Sequence, residues 1–426
     1  MIQEVDLYKF YEDAKGLKEY NCFITLKEPE NEFGIPIIVK DNICTKGIRT
    51  TAGSHIIENY IPPFDATVIK KAKEIGGEVV GKTNMDEFGF GTFNINSYFG
   101  PVRNPIDKER VSGGSSGGSA CATKLLDTPH ISIAESTGGS ISCPAAFCEV
   151  IGFTPTYGRV SRYGLIDYAN SLDKIGVMAN DLETAVYSLN VIQGKDGLDQ
   201  TCVGGEDLTQ YLDATPEGLR VGVIKNMMVG EKVNDVEKVL NKCSVEYDEV
   251  HLPYIHESLA AYYIIATSEA STNLAKFCGM RYGISGELTG NFNEYFSRIR
   301  AEGFGKEAKR RIILGTFARM AGYRDQYYLK ALKIRRLLIN EFKKLFKEYD
   351  VLLSPTMPCD PPKIKDAQNM KPLEIYRMDL LTIPPNLAGI PMMSYPIGRF
   401  SGLHILADHF KEGNIIRFAK LLEESI

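Results

Sequence analysis

The sequence has few of the residues that build metal sites and disulfide frameworks. Its nine cysteines form no C-x-x-C pair, and none of its six histidines is spaced from a cysteine like a metal ligand. We therefore predict no metal site. An odd number of scattered cysteines favours reduced, mostly buried thiols, as in a cytosolic protein.

Long apolar runs and strong positive charge are also lacking. No apolar stretch approaches the ~20 residues that span a bilayer. The N-terminal segment MIQEVDLYKFYEDAKG has no apolar core of a secretory signal. We therefore expect no membrane association and a cytoplasmic location. The net charge of −5 gives the chain no overall electrostatic reason to coat nucleic acid.

Short apolar runs alternate with helical patterns along the chain. The alternation predicts an α/β fold with a largely parallel or mixed sheet. Asn180 is the expected N-cap of one helix, with Glu183 at capping-box spacing. Strands are expected at 35–39, 78–82, 130–134, 220–224 and 350–356, and helices at 65–77, at 180–192 and from 141 onward.

The pattern becomes mainly helical between about 257 and 347. Without repeats or a clear linker, we expect one domain, 1–426, with this region as a helical insertion. The stretch 323–350 is basic and amphipathic. We interpret its basic face as facing solvent or a partner rather than RNA.

Two glycine–serine loops lie between residues 112 and 142. The first loop is GGSSGGS (113–119) and the second loop is TGGS (137–140). Glycine-rich segments of this kind let backbone N–H groups converge on a small anionic centre. The sequence therefore points to hydrolytic chemistry here.

The second loop follows a predicted strand and precedes a predicted helix. Ser140 is therefore a candidate nucleophile. The N–H groups of Thr137, Gly138, Gly139 and Ser140 could form an oxyanion hole, in which one donor contributes ~3–4 kcal/mol. A glycine turn with a serine N-cap explains the same local sequence equally well.

Two other serine patterns offer competing sites. Ser116 fits a G-x-S-x-G nucleophile elbow, which would need a carboxylate and a histidine, such as His404 or His409. Ser171 and Lys174 form an S-x-x-K pattern. Two fixed positions arise often by chance, so this pattern carries little weight.

Lys40 directly follows the apolar run IPIIV. A lysine drawn into the interior loses solvation, so its pKa falls and its neutral amine can act as a general base. A strand-end lysine that extends to solvent is the more common alternative. Lys40 alone does not decide between them.

Several longer segments resemble the amidase signature family. The matching segments are GIPIIVKDN, GGSSGGSA and STGGSISCPAAFCEVIGFTPTYGR. Within the family the chain most resembles the A subunits of amidotransferases that act on misacylated glutamyl- or aspartyl-tRNA, through residues 81–105, 155–176, 304–317 and 379–391. The resemblance implies the amidase signature fold, a mixed central sheet covered by helices on both faces.

The resemblance carries the family's Ser–cis-Ser–Lys triad onto this chain. Lys40 matches the base and Ser140 matches the nucleophile. Ser115 matches the bridging serine. Ser116 is the alternative bridge if the one extra residue between the two loops lies nearer the first loop.

The resemblance also implies a substrate and partners. Arg311 in KRRI and Asp379 in DLLT match the residues that bind the α-carboxylate and α-amine of glutamine. Ammonia is expected to reach a partner, the B subunit, which amidates the tRNA-bound amino acid with ATP and Mg²⁺. The B and C subunits are expected to complete a heterotrimer with this chain. The chain itself is expected to hold no cofactor and to meet tRNA mainly through its partner.

The chain departs from the family pattern near the nucleophile. The family's aspartate before TGGS is Ser136, preceded by Glu135, and the arginine of GGSIR is Ser142. Only residues 1–33 precede GIP, so contact with the small third subunit is expected to differ. A stand-alone amidase for small amides is the alternative function, and a non-catalytic scaffold is a third.

Overall fold

A single twelve-stranded sheet organises the molecule. The structure, a computed structural model, describes residues 2–425. The strands are β1 (Val5–Asp6), β2 (Phe23–Leu26), β3 (Phe33–Lys40), β4 (Gly77–Thr83), β5 (Ile131–Ser136), β6 (Ile151–Thr154), β7 (Lys174–Ala179), β8 (Val221–Ile224), β9 (Asp248–Val250), β10 (Val351–Pro355), β11 (Met392–Gly398) and β12 (Ser401–Leu406).

The sheet is mixed. Its strand order is β2-β4-β3-β5-β7-β6-β11-β12-β10-β8-β9, and β1 pairs with β3 outside this path. β3 runs parallel to both β4 and β5, and β8 runs parallel to β9 and β10, whereas the other pairs are antiparallel. The predicted α/β class with a mixed sheet is therefore confirmed.

Fourteen α-helices are present in residues 2–425. They are α1 (Leu7–Gly16), α2 (Thr67–Glu74), α3 (Gly117–Leu125), α4 (Ser142–Cys148), α5 (Leu182–Ile192), α6 (Val233–Lys242), α7 (Ile255–Asn273), α8 (Phe292–Gly303), α9 (Lys306–Arg319), α10 (Lys330–Glu348), α11 (Ile364–Asn369), α12 (Pro372–Met378), α13 (Ile383–Ala388) and α14 (Glu412–Ser425). α7 to α10 occupy the region predicted to be mainly helical. That they form an insertion within one domain stays a prediction.

Apolar side chains cover both faces of the sheet. Leu353 and Ile405 pack in one cluster with residues of α2, α5 and α14. Their neighbours Leu352 and Leu406 pack in another cluster with residues of α7, α10 and α13. Because side chains alternate between the faces of a strand, consecutive apolar residues show that the sheet is buried between two helical layers.

One local prediction is wrong. Asp181, not Asn180, caps α5: its carboxylate accepts from the Thr184 N–H, while the Asn180 amide donates to the Thr123 carbonyl. Within the stretch 323–350, a π-helical turn (Asp325–Leu329) precedes α10. The basic face of α10 is largely exposed, as expected, but Arg335 turns inward and donates to the Leu387 carbonyl.

All nine cysteines are unpaired, and six are buried, as predicted from their scatter. Among residues 2–425, no helix combines the length and apolar character that crossing a membrane requires.

Candidate active site

Two parallel strands bring the predicted residues to one edge of the sheet. Lys40 is the last residue of β3, and β5, its parallel neighbour, runs directly into the second loop. Parallel strands end on the same edge, so the lysine and the second loop meet there. The first loop reaches this edge just before α3 begins at Gly117.

The Lys40 side chain is fully buried and does not extend to solvent. Its ammonium nitrogen Nζ lies 2.8 Å from Ser115 Oγ, 2.9 Å from the Glu135 carbonyl oxygen and 2.9 Å from Glu135 Oε2. Burial lowers the pKa of Lys40, and the nearby Glu135 carboxylate partly opposes that shift. Lys40 therefore has the surroundings of a general base.

The two serines of the first loop have different partners. Ser115, which follows a cis peptide bond from Gly114, faces Lys40. Ser116 turns away, and its hydroxyl donates to the Glu135 carbonyl over 3.0 Å. The Ser116 N–H donates to the Ser140 carbonyl over 3.2 Å, which joins the first loop to the second.

Ser140 is 6 % exposed, so it is not fully closed off from solvent. Within residues 2–425, the N–H groups of Gly138, Gly139 and Ser140 donate to no protein acceptor. Unpaired N–H groups are rare in protein interiors, so these three donors are available to an oxyanion. The Thr137 carbonyl, by contrast, accepts from the Asn386 amide.

The second loop needs its two glycines because other side chains press against it. A Cβ atom at Gly138 would lie 2.8 Å from the Tyr262 hydroxyl, and one at Gly139 would lie 2.3 Å from Thr382 Oγ1. Any larger residue would displace the loop. Ser136, where the family has aspartate, bonds within the loop by donating to the Gly138 carbonyl over 3.0 Å.

Arg311 projects from α9 and is 3 % exposed. Its Nε donates to Glu307 Oε1 over 2.9 Å, and its Nη1 donates to the Tyr168 hydroxyl over 2.5 Å. Four aromatic rings lie 5.3 to 5.6 Å from the guanidinium carbon, those of Phe90, Tyr168, Tyr263 and Tyr376. The cation is therefore held in one orientation by rings and hydrogen bonds.

Asp379 lies beside the same aromatic group. Its Oδ2 accepts from the Tyr263 hydroxyl over 2.6 Å and from Thr92 Oγ1 over 3.0 Å. Burial raises the pKa of Asp379 to about 6. The Thr92 carbonyl accepts from the Gly114 N–H over 2.7 Å, so one residue links Asp379 to the first loop.

A cavity of about 190 Å³ borders Arg311, although Asp379 is not among its lining residues. Its lining includes Gly91, Glu307, Arg310, Arg311, Ile375 and Tyr376. A cation and an anion beside one aromatic group suit a zwitterionic ligand such as an α-amino acid.

The S-x-x-K pattern does not form a site. The Ser171 hydroxyl donates to Glu269 Oε1 over 2.6 Å, whereas Lys174 Nζ donates to the Ile390 carbonyl over 2.8 Å. The two side chains have no partner in common, and the alternative is wrong.

The nucleophile-elbow alternative also fails. His404 is buried, and its Nε2 lies 3.4 Å from the Ser142 hydroxyl oxygen. Burial lowers the pKa of its imidazole to about 3. His409 contacts Asp408 and the Ala388 carbonyl. Neither imidazole is hydrogen-bonded to Ser116, so this serine lacks the base that an elbow needs.

Some contacts in the site have no local sequence signal. Tyr263 and Thr92 stand 116 and 287 positions from Asp379, so only the fold joins them. Glu307 is different, because it lies four residues before Arg311 on a helix, a spacing at which opposite charges meet.

Residues 11–416 match the sequence model of the family described as Amidase. The chain belongs to the amidase signature family. It is thus an amidase-family enzyme. It is 50% identical over 399 residues to the A subunit of the glutamyl-tRNA(Gln) amidotransferase from Archaeoglobus fulgidus, covering 92% of this chain and 86% of that protein. It is 47% identical over 440 residues to the corresponding protein from Halothermothrix orenii. That alignment covers 100% of this chain and 91% of the other protein.

The fold of this amidase-family chain also matches a solved structure. The crystal structure of the A subunit of glutamyl-tRNA(Gln) amidotransferase from Thermotoga maritima superposes with a TM-score of 0.83 at 36% identity. That match covers 98% of this chain and 91% of the other. The mixed sheet and its flanking helices are therefore those of the family.

Proposed function

We propose that this chain is the glutamine-hydrolysing subunit of a tRNA-dependent amidotransferase and that Lys40, Ser115 and Ser140 are its catalytic triad. The observation that carries the proposal is the buried contact of 2.8 Å between Lys40 Nζ and Ser115 Oγ, beside unpaired N–H groups around Ser140. A buried amine, a hydroxyl and a nucleophile loop form a proton relay for amide hydrolysis.

In the proposed mechanism, Ser140 Oγ attacks the side-chain amide carbon of glutamine. The Ser140 proton moves to Ser115 Oγ as the Ser115 proton moves to Lys40 Nζ. The N–H groups of Gly138, Gly139 and Ser140 stabilise the oxyanion. When the C–N bond breaks, the proton returns through Ser115 to the nitrogen, and ammonia leaves a glutamyl ester on Ser140. Water then hydrolyses that ester.

Arg311 and Asp379 select the substrate in this proposal. Arginine offers a bidentate fork to the α-carboxylate of glutamine, and aspartate offers oxygens to its α-ammonium. Simple aryl or fatty amides carry neither charge. Their binding would leave two buried charges without partners, which is unfavourable.

The proposal that this chain has partner subunits is supported by its relatives, which are A subunits of glutamyl-tRNA(Gln) amidotransferases. We assign this chain to a cytoplasmic heterotrimer with B and C subunits. The B subunit would use the ammonia, with ATP and Mg²⁺, on Glu-tRNA(Gln), Asp-tRNA(Asn) or both. The relay needs only side chains of this chain, so we assign no cofactor to it. The net charge of −5 agrees with tRNA contact mainly through the partner.

Replacing Ser140 with alanine tests the proposal in the purified complex. Hydrolysis of glutamine should be lost, whereas amidation of misacylated tRNA with added ammonium should continue, since the partner's chemistry is untouched. Glutamine hydrolysis at the parental rate in Ser140→Ala would overturn the assignment. A chain that purifies without partners and hydrolyses simple amides rapidly would instead be a stand-alone amidase.

A further inference from the structure

Glu135 places a charged group directly against Lys40. Its carboxylate oxygen Oε2 lies 2.9 Å from Lys40 Nζ and also accepts from the Asn42 amide over 3.0 Å. Glu135 is 1 % exposed and Lys40 is fully buried, so water does not screen the ion pair. The proposed relay of lysine and two serines does not use this carboxylate.

Two of the three hydrogen-bond positions on Lys40 Nζ are occupied by oxygens of Glu135. One is its backbone carbonyl and the other is Oε2, each at 2.9 Å, and the third position faces Ser115 Oγ. A carbonyl and a carboxylate only accept hydrogen bonds. A neutral Lys40 amine must therefore point its two hydrogens at Glu135 and its lone pair at Ser115.

The hydrogen count around Thr137 indicates which nearby carboxyl group is charged. Thr137 Oγ1 lies 2.8 Å from Glu135 Oε1 and 2.8 Å from Asp173 Oδ1. A hydroxyl has one hydrogen, so both contacts are hydrogen bonds only if one carboxyl group is protonated and donates to the hydroxyl oxygen. Burial raises the pKa of Asp173 well above its usual value, with Glu135 adding to the shift. This direction favours Asp173 as the protonated partner, although the N–H groups of Tyr168 and Ala169 also donate to its carboxyl group.

Other ionisable groups face Lys40 from neighbouring elements. When ionised, Asp86, after β4, and Asp173, before β7, favour the charged form of Lys40, but more weakly than Glu135. Burial raises the pKa of Asp86, whose carboxylate accepts from the Asn94 and Asn96 N–H groups. Glu135 is the carboxylate in direct contact.

We propose that Glu135 is a positioning residue of the relay, which aims the Lys40 lone pair at Ser115 and stabilises the Lys40 ammonium that forms during attack. Glu135 gains and loses no proton in the step. The proton passes from Ser140 to Ser115 and from Ser115 to Lys40, and it returns to the leaving nitrogen. This role parallels that of the aspartate that orients histidine in a Ser–His–Asp triad. The inference rests on the proposed function.

Glu135→Gln in the purified complex tests the proposal by two assays over a range of pH. One assay is glutamine hydrolysis, and the other is the rate at which a fluorophosphonate labels Ser140. Without the carboxylate, Lys40 loses its protons at lower pH. The acid limb of both profiles should therefore move down by about one pH unit or more. The plateau should fall by about tenfold to a hundredfold, because the ammonium loses its partner.

Glu412→Gln is the matched control. Glu412 is fully buried and pairs with Arg159 Nε over 2.8 Å, away from the two loops. The Glu412→Gln variant should keep the acid limb of both pH profiles at the parental pH. The proposal would be overturned if the acid limb of Glu135→Gln lay at the same pH as those of the parent and of this control. Thermal unfolding of both variants shows whether they fold.

Two further variants separate charge from position. Glu135→Asp keeps the negative charge but moves it away from Lys40, because the side chain is shorter. The acid limb of the pH profiles should therefore stay near the parental pH, while the plateau rate falls. A parental plateau for this variant would contradict the positioning role. Asp173→Asn replaces a neutral acid with a neutral amide, so it should move the limb less than Glu135→Gln. An equal shift would show that Asp173 carries the charge instead.

The labelling assay separates failure of this inference from failure of the proposed function. Parental protein that is labelled at Ser140 but does not hydrolyse glutamine would overturn the glutaminase proposal. The labelling limbs of the parent and of Glu135→Gln would still decide the role of Glu135.

Discussion

Lys40, the last residue of β3, and Lys174, the first residue of β7, are both buried lysines, but their ammonium groups contact different atoms. Burial lowers the pKa of each, that of Lys174 to about 7. Lys40 contacts a hydroxyl, a carboxylate and a carbonyl, whereas Lys174 donates to the Ile390 carbonyl. Burial lowers the pKa of a lysine, and a hydroxyl partner is what allows its neutral amine to act as a base.

The two serines associated with these lysines also differ in their contacts. Ser115 contacts Lys40 from 75 positions away in the sequence. Ser171, three residues before Lys174, bonds to Glu269 instead. Closeness in sequence therefore does not identify the serine that a lysine serves.

The strongest test exchanges each lysine for methionine. Lys40→Met should lower the rate of glutamine hydrolysis by about 10²–10⁴-fold, because the relay loses its proton acceptor. Lys174→Met should leave the rate within about threefold of the parent, since Lys174 touches no proposed relay residue. The measurement is kcat for glutamine in the purified complex. Equal losses in both variants would show that burial, rather than contact, is what matters.

The serine partners give the next largest effect. Ser115→Ala should lower kcat by about 10²-fold or more, because the proton then has no path from Ser140 to Lys40. Ser171→Ala is the control, and its kcat should stay close to the parental value. Ser116→Ala should cost less than Ser115→Ala, and the reverse order would make Ser116 the bridge.

Asp379 should control binding where Lys40 controls rate. Its pKa of about 6 means that it gains a proton as the pH falls through that value and then loses its attraction for an ammonium group. KM for glutamine should therefore rise about tenfold per pH unit below this pH. Initial rates over a range of pH measure this. Asp379→Asn should have a high KM that does not vary with pH, and a KM that still rises in acid would point to another group.

The smallest expected effect is on the pH dependence of the free energy of unfolding, and it isolates Lys174. Its pKa is about 7 in the fold, against the ordinary value of 10.5. Between these values the unfolded chain binds a proton that the fold does not. Stability therefore rises with pH in this window, by at most about 1.4 kcal/mol per unit. Lys174→Met should reduce the gain in unfolding free energy between about pH 7 and pH 9 by about 2 kcal/mol.

Denaturant titrations at the two pH values measure this gain. The control is Lys333→Met, at an exposed lysine on α10. An unchanged gain in Lys174→Met would mean that Lys174 stays charged in the fold.

Local patterns predicted the strands and helices around the site to within a few residues. The run IPIIV became β3, and the segment before TGGS became β5. The predicted N-cap of α5 was wrong by one residue, because Asn180 and Asp181 are both good capping residues. In the fold, the Asn180 amide instead donates to the Thr123 carbonyl. Such a contact comes from a distant helix, so no local pattern contains it.

By itself the sequence predicted an α/β fold with a largely parallel or mixed sheet, the two glycine–serine loops and the candidate residues Lys40 and Ser140, because periodicity and local motifs depend on neighbours along the chain. The candidates Arg311 and Asp379 came from the resemblance to the family. Only the tertiary structure decided that Ser115 rather than Ser116 faces Lys40, that Tyr263 joins the surroundings of Arg311 and Asp379, and that Glu135 lies against the lysine. These contacts depend on where strand ends and loops meet in space. A shift of one residue there changes which side chain points inward.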